Sequence, residues 1–401
     1  MVKKIDENNL GLSTILAFLL LPLAGFATDI YLPSLPSMSV SLGVNSIRVQ
    51  FTLTIFLISY GLSQLFIGSV LDSFGRYRIG IYALLVFALA SFVIANTGNI
   101  WVIYGMRILH GITAAAVVVA KRAYFVDVFS GDKLKNYLSL FSIIWSTGPI
   151  IAPFIGGYLQ STFGWQSNFY FLGGMALLLA ILENFFNGES LKHFSVFSLK
   201  NITKIYGNMI TTTSFILGLI IIGLSYSMVM VYNMTGPFII EHHLHFTPVT
   251  AGYCSLILGF AWMVGGFIGK ATIHQPFIKK LMLNLGLQIC FAVLMLFSAS
   301  LIENIYSLVL FAFLVHVGAG YAFNVYFTYC LSRFPNNAGI ASGLTGGVMY
   351  IIVSLFSYGT VYLIPARDQL HLSYSYLVLI LLVALVMWAV SKSIERKLHI
   401  G

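Results

Sequence analysis

Twelve long apolar runs, separated by short polar connections, constrain this 401-residue chain more than any other feature. A helix needs about 20 apolar residues to cross a hydrocarbon core of about 30 Å. Runs that are continuous and not alternating exclude a membrane β-barrel. The expected spans are 12 to 35, 49 to 70, 79 to 97, 100 to 122, 136 to 159, 166 to 186, 208 to 231, 247 to 269, 281 to 301, 305 to 331, 338 to 363 and 372 to 391. Only 8% of the residues are charged, too few to cover a water-facing surface. The fold expected is therefore an all-α polytopic membrane protein of twelve helices. The first run is too long for a signal-peptide core and has no small-residue cleavage site after it, so it reads as a permanent span. Cys254, Cys290 and Cys330 fall inside apolar runs without paired or metal-ligand spacing and read as packing residues.

The basic residues alternate with the connections. Lys3, Lys4, Arg76, Arg78, Lys121, Arg122, Lys133, Lys135, Lys192, Lys200, Lys204, Lys270, Lys279, Lys280, Arg333, Lys392, Arg396 and Lys397 lie on one side, and Arg48 and Arg367 on the other. The positive-inside rule then places both termini in the cytoplasm. It also accounts for the net charge of +9, so no nucleic-acid partner is expected. The longest polar connection, 187–207, divides an N-terminal six-helix bundle (1–186) from a C-terminal one (208–401). Two six-helix halves are typical of secondary transporters with a midplane site.

Asp29 and Arg107 are the ionisable residues the membrane has to explain. At 1.5 Å per residue Asp29 lies about 26 Å along its span, and Arg107, on an antiparallel span, about 10 Å in from the same face. The two opposite charges share a depth. A carboxylate at a helix centre costs about 2.5 to 3.5 kcal/mol, and such groups pair or line a wet cavity. Three readings stand at this point: a helix that has already ended, a fixed ion pair, or a carboxylate that binds and releases a proton. His110, one turn from Arg107, is placed to share a relay or to be a satisfied buried histidine. Pro33 and Pro36 are expected to end the first span.

Three further stretches carry meaning. Gly68, Asp72, Gly75, Arg76 and Arg78 form the short turn between spans two and three, where glycine permits reversal and the charges can pair. Gly148, Pro149, Pro153, Gly156 and Gly157 bend span five and admit a neighbouring backbone. Gly339, Gly343 and Gly347 repeat along one face of span eleven. His242, His243 and His245 with Glu241 lack ligand spacing and read as a wet outer loop, so no metal is expected. The sequon Asn201-Ile202-Thr203 falls on the cytoplasmic side and is discounted.

The turn after span two resembles the loop signature of the major facilitator superfamily. Arg107-Ile-Leu-His110-Gly111 looks like its proton-transfer motif, with His110 where Gln is usual, and Thr147 to Gly157 is similar to the antiporter motif of drug:proton exporters. Asp29-Ile-Tyr31-Leu-Pro33-Ser-Leu-Pro36 is similar to the first-span motif of the twelve-span drug:proton antiporters, especially the Bcr/CflA subfamily, and Trp165-Gln-Ser-Asn-Phe-Tyr-Phe fits too. The resemblance implies alternating access, proton coupling through Asp29, Arg107 and His110, and a cytoplasmic gate at Asp72 and Arg76. Tyr31, Tyr226, Tyr232, Asn233, Tyr321 and Asn324 are the expected cavity residues, suited to a planar amphipathic ligand. The C-terminal half shows no acid at membrane depth.

The function expected is proton-coupled export of small amphipathic compounds. The alternative is a dedicated exporter of one metabolite, such as a siderophore. No nucleophile pairs with a base, no acidic ring suggests a channel, and no enzyme activity is expected. The coupling ion is the proton, with no cofactor. The partners are a small-molecule substrate and the bilayer, the chain is expected to act as a monomer, and a bacterial inner membrane is its expected location.

Overall fold

A computed structural model describes all residues except 1–4, 6–8, 192–193, 195–198, 335–337, 366, 400 and 401; at 139, 141–143, 145–146, 199–202, 204–205, 338–340 and 391–399 it describes the backbone alone. Lys3, Lys4 and Lys192 lie outside the described residues, as do the side chains of Lys200, Lys204, Lys392, Arg396 and Lys397 and the packing around Gly339.

The chain forms two compact units, Met1–Leu199 and Lys200–Gly401. The first contains α1 (Leu10–Leu20), α2 (Leu23–Asp29), α3 (Leu35–Ser41), α4 (Ser46–Phe74), α5 (Arg76–Asn96), α6 (Ile100–Val128), α7 (Gly131–Phe163) and α8 (Gln166–Phe186). Helix α9 (Leu199–Ile210) begins at the boundary, and the second unit continues with α10 (Thr213–Phe238), α11 (Pro248–Ala271), α12 (Phe277–Leu301), α13 (Ile305–Ser332), α14 (Ala338–Leu363) and α15 (Gln369–His399). Among the described residues eleven segments are long and apolar enough to cross a bilayer. The expected fifth span falls inside α7, an unbroken helix of 33 residues.

Local chemistry sets the helix ends. Asn45, Asn99 and Thr247 cap α4, α6 and α11 by accepting a backbone N–H, and Asn304 forms a reciprocal capping box with Ser307 at the start of α13. Helix α4 gives way to α5 through Gly75 alone, at φ 94°, a conformation that costs glycine little.

Several expectations are corrected. Pro33 and Pro36 do not end the first span: a 3-10 turn over Leu32–Ser34 carries the chain into α3, and both prolines occupy first-turn positions where a missing N–H is tolerated. The stretch Leu10–Ser41 is thus one broken span, and Asp29 closes its second segment, 12 residues before its C-terminal end. Span two runs on to Phe74, so Gly68 and Asp72 are helical and not part of a turn. Span four runs on to Val128, so Lys121 is no loop charge. It is buried and ion-paired with Glu183 of α8, whose carboxylate also accepts from Asn187 at 3.0 and 3.1 Å. Span seven runs on to Phe238 and then through a π-helical turn over Ile239–His243. The polar Tyr232 and Asn233 do not interrupt it: Tyr232 is buried and Asn233 half-buried within the helix. His242 and His243 therefore belong to a helix end, where His243 Nε2 meets Glu303 Oε1 at 2.9 Å. Helix α9 begins within the expected linker, 187–207, and runs past its end to Ile210.

Candidate functional site

Helix α6 packs along α4 and α5, and α7 packs along α2. These contacts set Arg107 of α6 beside the break in the first span. The last carbonyls of a helix have no intrahelical donor, and Pro33, lacking an N–H, cannot serve the Asp29 carbonyl. Arg107 serves another of these last carbonyls, that of Ala27. Its Nη1 donates to the Ala27 carbonyl at 2.9 Å, its Nε to the Thr52 carbonyl at 3.3 Å, and its Nη2 to the Tyr31 hydroxyl at 3.4 Å. The guanidinium also lies between two rings, 4.7 Å from the Tyr31 centroid and 4.4 Å from that of Phe56, a favourable position for a desolvated cation. Tyr31 is fixed in turn by Thr52, 3.0 Å away.

Asp29, 1% exposed, lies within the electrostatic field of Arg107. The structure therefore brings together the two residues that the depth argument paired. It adds that Arg107 is held by carbonyls, a phenol and an imidazole as well as by the carboxylate's field.

His110 joins the same group. Its Nδ1 is 3.4 Å from Arg107 Nη1, and its Nε2 is 2.9 Å from the Ser91 hydroxyl of α5. Arginine can only donate, so Nδ1 accepts and the proton resides on Nε2. Ser91 passes its own hydrogen to the Phe87 carbonyl at 2.9 Å, and the Phe87 ring stacks on the imidazole at 4.3 Å. The directional chain Arg107 to His110 to Ser91 to Phe87 fixes His110 as a neutral Nε2–H tautomer. Ser91, Thr52 and Phe56 carry no distinguishing mark in the sequence, because small hydroxyls and phenylalanines are common in spans.

The antiporter stretch of α7 packs on the Asp29 segment. A methyl group on Gly156 would run into the Ile30 carbonyl, and one on Gly25 of α2 would meet the Pro149 ring at 2.6 Å. Gly148 faces the Pro22 carbonyl, and Pro153 and Gly157 are buried beside them. Asn168 of α8 donates to Ser34 at 2.7 Å, and Gln160 of α7 to Ser37 at 2.6 Å. The Asp29 helix is thus braced on both sides of its break.

At the α4–α5 turn Arg76 Nη2 meets Asp72 Oδ1 at 2.8 Å, and Nη1 forms an ion pair with Asp127 at the end of α6. Ser190 donates to the same Asp127 oxygen at 2.9 Å. Glu189 accepts the first N–H groups of α5, those of Arg76 and Tyr77, at 3.1 Å each. A carboxylate at a helix N-terminus is favoured by the macrodipole. Asp127, Glu189 and Ser190 are neighbours of Arg76 and Tyr77 that sequence reasoning missed, and acidic residues at the C-terminal ends of spans four and six were the available signal. A methyl group on Gly68 would find nothing within 4 Å, so no close approach requires glycine there.

In the second unit the expected cavity residues separate. Tyr226 is half-buried in an aromatic group with Trp262 at 5.4 Å, Phe323 at 6.1 Å and Tyr350 at 6.2 Å. Asn233 and Asn324 are also half-buried, Asn324 donating to the Gly320 carbonyl at 2.8 Å. Tyr321 is buried and bonded to Thr272 at 3.0 Å. Tyr31 and Tyr232 are wholly buried, so neither lines an open surface in this structure. Trp262, Phe323 and Tyr350 were missed for want of any sequence signal separating them from packing aromatics.

The family model of the Major Facilitator Superfamily matches residues 17–357. The chain belongs to the major facilitator superfamily. It is 35% identical over 167 residues to the bicyclomycin resistance protein homolog of Haemophilus influenzae, covering 42% of each chain. It is 27% identical over 335 residues to the multidrug resistance protein MdtL of Vibrio parahaemolyticus, covering 82% of this chain and 83% of that one. Its fold matches the crystal structure of a D-xylose-proton symporter with a TM-score of 0.71 at 16% identity, over 94% of this chain and 96% of that one. The chain is accordingly a multi-pass membrane protein of a transporter superfamily.

Proposed function

We propose that this chain is a proton-coupled exporter of small amphipathic compounds, of the Bcr/CflA type, working by alternating access. The observation that carries the reading is the cradle around Arg107. A fixed ion pair would leave the arginine stranded in a dry interior whenever Asp29 took up a proton. Here the guanidinium keeps the Ala27 and Thr52 carbonyls, the Tyr31 phenol and the His110 imidazole. Asp29 can therefore change charge without stripping Arg107 of its partners, which is what a carrier of protons needs.

The resistance proteins among the relatives support an antibiotic-like substrate class. The half-buried aromatic group around Tyr226 supports planar, amphipathic ligands that bind by stacking. The charge distribution of the connections supports cytoplasmic termini, and the bacterial relatives support a bacterial inner membrane; we take the chain to act as a monomer. Asp72, Arg76 and Asp127 form the gate at the cytoplasmic end, and the antiporter stretch of α7 holds the Asp29 segment in register.

The test is a compound screen in inverted membrane vesicles with a pH indicator inside. Addition of a transported compound is expected to move protons in the opposite direction, in the wild type and not in empty-vector vesicles. Transport of such compounds with no proton movement overturns the coupling.

A further inference from the structure

The C-terminal unit carries a buried titratable group that the coupling site in the first unit does not use. His316 lies on α13, 12 residues after the cap Asn304, and is 0% exposed. His110 lies on α6, 11 residues after the cap Asn99, and is also 0% exposed. Each is on the fourth span of its six-span half, and each helix packs along the second span of that half, α13 on α11 and α6 on α4. The two histidines occupy nearly equivalent places in the two halves.

Their surroundings differ. His110 has both ring nitrogens engaged, by Arg107 and Ser91. His316 has one: Nε2 is 3.0 Å from the Tyr376 hydroxyl of α15, and Nδ1 finds no hydrogen-bond partner among the described residues. Against the imidazole stands the ring of Tyr232 from α10, edge to face at 5.7 Å, and its hydroxyl is likewise buried and without a partner among the described residues. Gln288 of α12 is uncharged and donates its amide to the Val315 carbonyl at 3.2 Å. From α11 the nearest titratable neighbour of Tyr232 is the buried Cys254 thiol. Among the described residues no carboxylate or ammonium forms an ion pair with His316.

An imidazole with an idle nitrogen, walled by two phenols in a membrane span, has no packing reason to be polar. A leucine or methionine would fill the space without leaving a buried polar atom unsatisfied, and intramembrane ionisable groups are functional by default. We propose that His316 is a second proton-binding site, in the C-terminal unit, held by Tyr376 and Tyr232. In the neutral tautomer Nε2–H donates to the Tyr376 oxygen and Nδ1 keeps its lone pair. A proton added at Nδ1 gives an imidazolium with two donors, one already served by Tyr376, the other at the nitrogen that is idle in the neutral ring. No other bond changes.

The inference rests on the reading of the chain as a proton-coupled carrier, and the experiment separates the two. Full-length protein labelled with 15N-histidine is reconstituted in nanodiscs, the His316 ring signals are assigned by H316Q, and pH is varied from about 9 to about 5 across the ordinary histidine range. The expected result is conversion of the neutral pattern to the imidazolium pattern within that range. In parallel, H316Q in proteoliposomes is expected to lower pH-gradient-driven ethidium uptake about tenfold while leaving ethidium counterflow, which needs no gradient, within about twofold of wild type. A neutral signal throughout, gradient-driven uptake unchanged in H316Q, or parallel loss of uptake and counterflow overturns the site. Absence of any gradient response in the wild type overturns the coupling reading itself, and the histidine signal then decides the proton site on its own.

Discussion

A charged side chain in a dry helix bundle survives where neighbours offer acceptors in the right directions. Arg107 shows this with carbonyls at a helix break, a phenol and an imidazole. Asp368, in the connection before α15, shows the converse for a carboxylate, which needs donors. Burial pushes its carboxyl up, but hydrogen bonds from the His371 backbone N–H and imidazole, at 2.8 and 2.7 Å, together with the charges of His371 and His243, hold it below the usual carboxylate range. A folded-state value below the unfolded one contributes stability that is present above the unfolded value and lost as pH falls through the folded one. The wild type is therefore expected to unfold at a higher temperature than D368N from about pH 5 upward, with the gap closing below about pH 4. Thermal unfolding in detergent at a series of pH values reads this directly, and a gap that widens on acidification contradicts it. Asp29 and Arg107 were legible because charges stand out in apolar runs. His316 was not, because a neutral imidazole in an apolar run carries no such mark.

At the scale of elements, the first span was the least legible. The spacing of apolar residues predicts one helix over 12 to 35, whereas the chain breaks twice and continues to Ser41. The last carbonyls of a helix segment need donors from elsewhere; here Arg107 of α6 supplies one to Ala27, which is a tertiary contact that no local pattern contains. Helix α7 presses on both breaks, through Gly148 at Pro22 and through Gly156 at Ile30. G156A is expected to destabilise the protein by about 1–3 kcal/mol, the usual cost of forcing a methyl into a filled site, or to prevent its accumulation in the membrane. G68A, where nothing stands within 4 Å, is expected to leave the unfolding temperature unchanged or slightly raised, since alanine is the better helix former. Fluorescence-detected thermal unfolding of the two variants side by side checks the contrast, and equal loss in both would remove the close-packing account of α7. The turn at Gly75 was legible as a reversal. Its closure by Glu189 was not, because that residue stands 113 positions after Arg76 in the chain.

For the whole molecule, the all-helical membrane fold and the family were within reach of apolar run length and four local motifs in the first half. Span ends were misplaced where polar residues are taken into the bundle: Lys121 is paired with Glu183, and the Tyr232 ring packs edge to face on His316. The aromatic group around Tyr226 was only partly legible, since one tyrosine in a membrane segment looks like any other until its neighbours are known. The central claim is that the carboxylate of Asp29 carries the transported proton. D29N in proteoliposomes tests it most directly, with ethidium flux measured both under an imposed pH gradient and as gradient-independent counterflow. D29N is expected to lose the response to the gradient and keep counterflow, whereas gradient-driven flux at the wild-type rate would contradict the claim.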